Sequence, residues 1–189
     1  MEPRYKLKTA PAFTPVLLAD VRNNLHILHT DLDTLLQACL DAAIDDAQTM
    51  IGRQFARATY TAYLDAYPSN GELEISLGPV NTITSVKYYA PGASELTEHA
   101  STKYQLDNIE LTARLRFLES FSADSDKMNV IEIEFTTGWE AAANIPATIK
   151  DAIILMASDR YLHPENAPGM SARVTGADRL LQKYKVQRF

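Results

Sequence analysis

The stretch Asn129–Pro164, NVIEIEFTTGWEAAANIPATIKDAIILMASDRYLHP, contains both kinds of regular structure and the passage between them. It opens in strict alternation, with Ile131, Ile133 and Phe135 on one side and Glu132, Glu134 and Thr136 on the other. A period of two marks a strand with one buried face. Gly138 ends it, and Trp139 leads into a run of small residues. Pro146 suits the first turn of a helix, where a missing N–H is harmless. Ile149, Ala152, Ile153, Met156, Ala157 and Tyr161 then recur at helical spacing until Pro164 blocks continuation. A sheet therefore hands over to a helix with a broad apolar face. Helical patterns on both sides of the strands predict an α+β fold, a small helical bundle with an inserted, mostly antiparallel sheet.

Upstream, Thr14-Pro15 reads as an N-cap with proline at the first helical position. A short helix should run to about His26 with Val16, Leu17, Val21 and Leu25 inward. Asp31 should cap the longest helix, residues 32–55, in which Leu32, Leu35, Leu36, Cys39, Leu40, Ala43, Ala47, Met50 and Ile51 follow the i, i+3, i+4 rule. Gly52 would be a weak point late in that rod. From Ala58 the period becomes two. Strands are expected at 59–65, 72–77, 82–90, 103–106, 111–118 and 129–137, with turns such as Pro68-Ser69-Asn70-Gly71 and Pro91-Gly92-Ala93-Ser94 between them. Their spacing predicts an antiparallel sheet or small sandwich. Residues 1–13 read as extended and irregular, 163–175 as a mobile loop, and 177–189 as a short basic helix. The organisation is then a helical part over 1–57, a β insert over 58–139, and a helix with a terminal segment over 140–189.

The 189 residues are 46% hydrophobic and 22% charged, the balance of a globular domain able to bury a core without disulfides or metals. A single cysteine, Cys39, precludes a disulfide framework within the chain. No secretory signal is read at the N-terminus, and the aliphatic run 152–157 is too short to span a bilayer. The net charge of −6 argues against wrapping a duplex. That charge is uneven. Residues 31–46 carry five aspartates and no Lys or Arg, whereas 176–189 carry Arg179, Lys183, Lys185 and Arg188 against Asp178 alone. Solvated faces explain this most simply; self-association or docking on a charged partner is the other reading.

Few residues invite chemistry. His26, His29, Asp31 and Asp33 are metal-ligating types, but their spacing fits no metal template, and Asp31 serves better as a cap. Cys39 falls on the apolar stripe of the long helix, as a small hydrophobe would. Glu132 and Glu134 share one strand face about 7 Å apart, a separation open to acid–base work but more simply an exposed sheet face. His163, beside Pro164, is placed to meet helix C-terminal carbonyls. Trp139 is either a corner-packing residue or an interface anchor. Tyr88-Tyr89 is open to reading as a stacking platform, although aromatic residues on alternate sheet faces are common. No phosphate loop, nucleophile elbow or dinucleotide fingerprint is present. Neither a metal nor a cofactor is expected.

Several features occur in a telling order. Thr14-Pro15-Val16 starts a helix, and Asp31-Leu32-Asp33 starts a long one ending Ile51-Gly52-Arg53-Gln54-Phe55. Leu77-Gly78-Pro79-Val80 precedes Ile83-Thr84-Ser85-Val86-Lys87-Tyr88-Tyr89. Phe135-Thr136-Thr137-Gly138-Trp139 precedes Ile145-Pro146-Ala147, then Ile149-Lys150, Ala152-Ile153 and Asp159-Arg160-Tyr161. The chain closes on Leu180-Leu181, Tyr184, Val186 and Arg188-Phe189. From about Thr9 onward this resembles the head–tail connector family of long-tailed bacteriophages, prophages and gene transfer agents.

The resemblance implies a structural role without catalysis. Such a protein forms a ring, commonly of twelve copies, beneath the portal of the DNA-filled head. The ring extends the DNA channel and offers a stopper or tail protein its attachment surface, so the expected location is the virion neck, with assembly in the bacterial cytoplasm. DNA would pass through without specific binding, and no membrane is involved. By the same resemblance, Tyr184, Lys185, Arg188 and Phe189 are the expected portal-docking residues. Leu36, Leu40, Ile44, Ile154 and Trp139 are the expected subunit contacts. Asp41, Asp45 and Asp46 are expected to face the channel, where they would repel DNA phosphates. The alternatives are a β-sheet ligand-binding module on a helical base and a carboxylate-dependent hydrolase using Glu132 and Glu134.

Overall fold

A computed structural model of the chain describes residues 3–164 and 176–186. The chain forms two units, one from Met1–Ala12 with Ala56–Trp139 and one from Phe13–Phe55 with Glu140–Phe189. The first is built of strands and the second of helices, so the fold is α+β.

Among the described residues the β unit has eight strands: β1 Arg4–Thr9, β2 Ala58–Leu64, β3 Glu72–Ile75, β4 Val80–Tyr89, β5 Leu96–His99, β6 Tyr104–Asp107, β7 Ala113–Phe117 and β8 Ile131–Thr137. One antiparallel sheet runs β1-β2-β8-β4-β5 and a second runs β3-β7-β6. The alternation of β8 sets the register. Ile133 lies opposite Ala62 on one side and Val86 on the other, and all three are buried. Leu73, Ile75, Ala113, Leu115 and Phe117 of the second sheet join the same core, so two sheets face each other as a sandwich. Phe135 lies between Tyr5 and Tyr60, with ring centroids 6.0 and 6.3 Å away.

Two strands depart from the expectation. Residues 4–9, read as irregular, are an edge strand. Only Tyr5 and Leu7 are apolar there, and lysines at 6 and 8 protect an open edge while hiding the strand pattern. β1 is held by Arg4, which donates to Asp65 at 2.7 Å, and by Lys8, which pairs with Glu134 at 2.6 Å. β5, Leu96-Thr97-Glu98-His99, has a single apolar residue and buries only His99, so it shows no apolar alternation.

The helical unit contains α1 Leu18–Asn24, α2 Asp33–Ile51, α3 Ala147–Leu162 and α4 Gly176–Gln182. Each terminus differs in detail from the sequence reading. α1 starts at Leu18, not at Pro15; the Asp20 carboxylate accepts the Leu17 N–H at 3.2 Å, and Pro15 and Val16 are buried just before the helix. Asp31 does not cap α2; Leu32 occupies that position, and Asp31 lies exposed 3.7 Å from His29. α2 ends at Ile51, because Gly52 takes the left-handed conformation (φ +71°) that closes a helix. It therefore measures about 28 Å at 1.5 Å per residue. Arg53, Gln54 and Phe55 follow as buried irregular chain, with Phe55 N–H donating to the Gln48 side chain at 3.0 Å. Pro146 is the N-cap of α3, one position before the first turn. α2 and α3 pack against each other, with Ala43, Ala47, Ala152 and Ala157 all fully buried. From residue 165 the loop expected at 163–175 lies outside the described residues.

The chain passes between the units three times, after Ala12, Phe55 and Trp139. Within the β unit these passages are tied together. Ala12 N–H donates to Arg57 O at 3.3 Å, Arg57 N–H donates to Trp139 O at 3.1 Å, and Ala56 bridges Trp139 in parallel. Gly138 makes this possible. Its φ is +97°, and a Cβ there would sit 2.5 Å from the Ala56 carbonyl oxygen.

Candidate assembly surfaces

The residues that invited chemistry are dispersed. Among the described residues no group of three or more His, Cys, Asp or Glu side chains could hold a metal. Asp33 faces Arg22 at 3.5 Å, away from the exposed His29–Asp31 pair. Glu134 pairs with Lys8, and Glu132 lies between Tyr63 and Lys87 in the ladder. Cys39 is half-buried on α2. His163 turns back on its own helix, its Nδ1 3.0 Å from Asp159 Oδ1. Tyr88 and Tyr89 point to opposite faces. Tyr88 stacks on Phe121 at 4.2 Å, while Tyr89 lies under Lys127. No described helix is long and apolar enough to cross a membrane.

Sequence reasoning missed the aromatic cluster at one end of the sandwich. Phe121, read as part of a polar loop, touches Tyr67, Tyr88, His99 and Phe117. The loop is held further by Asp124, whose N–H donates to Tyr89 O at 2.9 Å and whose carboxylate accepts the Asp126 N–H. That second bond leads the causes holding the Asp124 carboxyl below its ordinary range. His99 is buried in the cluster with its Nε2 unpartnered, and burial lowers the pKa of its imidazole. The only sequence signal was an isolated phenylalanine among polar neighbours.

The C-terminal segment is latched onto the helical unit. After α4 the chain turns at Tyr184, whose carbonyl accepts from Arg53 Nε at 2.6 Å. The Tyr184 hydroxyl lies 3.1 Å from Thr148 Oγ1. Val186 N–H then donates to Ile51 O at 2.9 Å, supplying a partner to a carbonyl at the end of α2. Burial lowers the pKa of the Arg53 guanidinium from its ordinary value. Of the four expected docking residues, Tyr184 is thus engaged within its own unit and Lys185 is exposed. Arg188 and Phe189 lie outside the described residues.

The expected subunit contacts separate in the same way. Leu36 and Leu40 are fully buried inside the helical unit and leave a neighbour nothing to touch. Ile44, Ile154 and Trp139 are half-buried. α3 buries Ile149 and Ile153 and exposes Leu155 (43%), one turn from the exposed Asp151, and Leu162 (59%). On α2, Asp41 and Asp45 are exposed. Asp41 accepts from Gln37 at 2.8 Å, and Asp46 is paired with Arg160 of α3.

No protein-family model matches the sequence, and no curated protein matches it. Solved structures do. A chain from the neck of an empty gene transfer agent particle, computed with six-fold symmetry, superposes with a TM-score of 0.81 at 19% identity, over 98% of this chain and 97% of that one. A chain of the native gene transfer agent virion gives 0.79 at 21% identity over 98% and 96%. A chain from the native neck, computed with twelve-fold symmetry, gives 0.74 at 20% identity over 98% and 97%. From end to end, the protein has the fold of a chain found in the neck of gene transfer agent particles.

Proposed function

We propose that this chain is a structural head–tail connector subunit, without catalytic activity. It forms a ring in the virion neck beneath the portal, extends the DNA channel and gives a stopper or tail protein its seat. One observation carries the reading: the likeness to neck chains spans both units and nearly all of each chain. A ring suits the six- and twelve-fold symmetry with which those necks were computed. The exposed Leu155 and Leu162 of α3 support it as well, since in a ring a neighbouring subunit can cover them. Leu155 with Ile154 and Ile44 replaces Leu36 and Leu40 as the subunit contact. Trp139 stays a candidate at the boundary of the β unit. Portal docking falls to Lys185, Arg188 and Phe189, with Tyr184 anchoring the segment behind them. Asp41 and Asp45 face the channel and keep DNA from adhering.

The test is co-expression with the portal protein of the same gene cluster. A complex with about one copy per portal subunit is the outcome expected of a closed ring on a ring. Two folded proteins that do not associate would remove the connector role and leave a shared fold. Removing residues 187–189 should abolish docking while leaving thermal unfolding unchanged.

A further inference from the structure

We propose that the tip of the β6–β7 hairpin of one copy seats on the open face of the five-stranded sheet of the next copy. The inference rests on the ring reading and names one contact within it. The tip is a rigid knob. Asn108 Nδ2 donates to Val80 O at 3.1 Å and to Asn81 O at 3.3 Å, which fixes the turn to the start of β4. Ile109, the next residue, is 92% exposed. A large apolar side chain on a tethered turn has its ordering cost met before any partner arrives.

The receiving face holds a shallow depression of about 280 Å³. Short Thr61 and Ser85 flank Glu134 of central β8 there, and Leu96 offers apolar wall. The charges match in order. The edge strand β1 brings Lys6 and Lys8, and central β8 brings Glu132 and Glu134. The knob carries Glu110 at its tip and Arg114 behind it, the latter paired with Asp107 at 2.6 Å. Glu110 toward Lys6 and Arg114 toward Glu132 satisfies both signs. Knob and depression are different surfaces of the same chain, so the contact is head-to-tail and propagates around a ring rather than closing a dimer.

The experiment uses the full chain with Cys39→Ala, Ile109→Cys and Ser85→Cys, treated with a short bis-maleimide, alone at high concentration and in the portal complex. A ladder of covalent oligomers is expected from the paired variant, and nothing beyond dimers from either cysteine alone. Lys6→Glu and Glu110→Lys should each reduce the ladder on the order of tenfold, and the two together should restore it. A portal complex without a ladder overturns this contact and leaves the connector reading standing. A ladder indifferent to both charge changes overturns the assigned register, and dimers alone overturn the head-to-tail geometry. Failure to bind the portal counts against the connector reading, whatever the ladder shows.

Discussion

At the residue scale, Gly138 and His99 matter most, for opposite reasons. Gly138 has both a left-handed backbone and a neighbouring carbonyl where its Cβ would go, and the obstruction is backbone, which cannot rotate away. Gly92 shares the positive φ, at +74°, but has open space around it. Gly138→Ala should therefore cost at least about 2 kcal/mol, against about 1 for Gly92→Ala, read as the difference between two thermal unfolding curves. Equal losses would mean that the close approach to Ala56 is relaxed in solution. His99 concerns pH. Its ring packs against Tyr88 of β4, Tyr104 of β6, Phe117 of β7 and Phe121, with Lys103 and Glu119 as the charges nearby. Burial lowers its folded pKa below the ordinary 6.5, so the folded state binds its proton less readily than the unfolded chain does. The stability this contributes is fully present above about pH 6.5, falls as pH drops below that value, and levels off below the folded pKa. Glu119, held down by Lys103, loses its contribution only in the lower carboxylate range and does not blur the window. His99→Phe should flatten the decline in melting temperature between about pH 6.5 and pH 5; an unchanged slope would place the titrating group elsewhere.

At the element scale, the end of α2 and the latched segment depend on each other. Ile51 O receives Val186 N–H, Arg53 donates to Tyr184 O, and Gly52 lies where a Cβ would come 3.3 Å from Val186 Cγ2. Truncation after Gln182 removes both bonds from a buried corner and should cost about 2–3 kcal/mol in denaturant unfolding, whereas truncation after Val186 should cost nothing measurable. If both truncations were silent, residues 183–186 would be a free arm and the latch would not hold in solution. This is also where sequence legibility ran out. Alternation revealed β8 and β2 because their core-facing residues are apolar throughout, whereas two register shifts break it in β4, and the Leu36–Ile51 stripe revealed α2. β1 escaped because edge protection replaces the apolar pattern with lysines, and β5 because its one buried residue is a histidine rather than an apolar side chain. The ends of α1 and α2 were misjudged by residue preference. Asp20 reached back to Leu17 where Thr14 had been favoured, and Gly52 stopped a helix it had been expected only to weaken. The proposed assembly residues were legible as types and not as positions: periodicity cannot say whether Leu36 faces its own unit or a neighbour, since both are apolar contacts.

At the scale of the whole molecule, the question is what the unused apolar surface of the helical unit is for. α3 buries Ile149, Ala152, Ile153 and Ala157 in its own unit and still exposes Leu155 and Leu162, while α2 exposes Leu35. Scattered apolar residues on a surface need no explanation. These differ because they lie on helices whose opposite faces already fill the core. A ring supplies a use, since every subunit then presents one face to the neighbour before it and another to the neighbour after. A charge at such a face would be desolvated in every interface of the ring at once, and the penalty is several kcal/mol wherever it has no partner. Leu155→Lys should therefore leave the isolated subunit's unfolding within about 0.5 kcal/mol of the parent, because the side chain stays in water there. It should nevertheless prevent accumulation of a full ring on the portal in native mass spectra. Leu36→Lys should behave in the opposite way, unfolding the helical unit before any question of assembly arises, because that side chain is wholly buried. Normal rings from Leu155→Lys would move the subunit boundary off α3 and onto the β unit, where the hairpin contact would have to hold the ring without it.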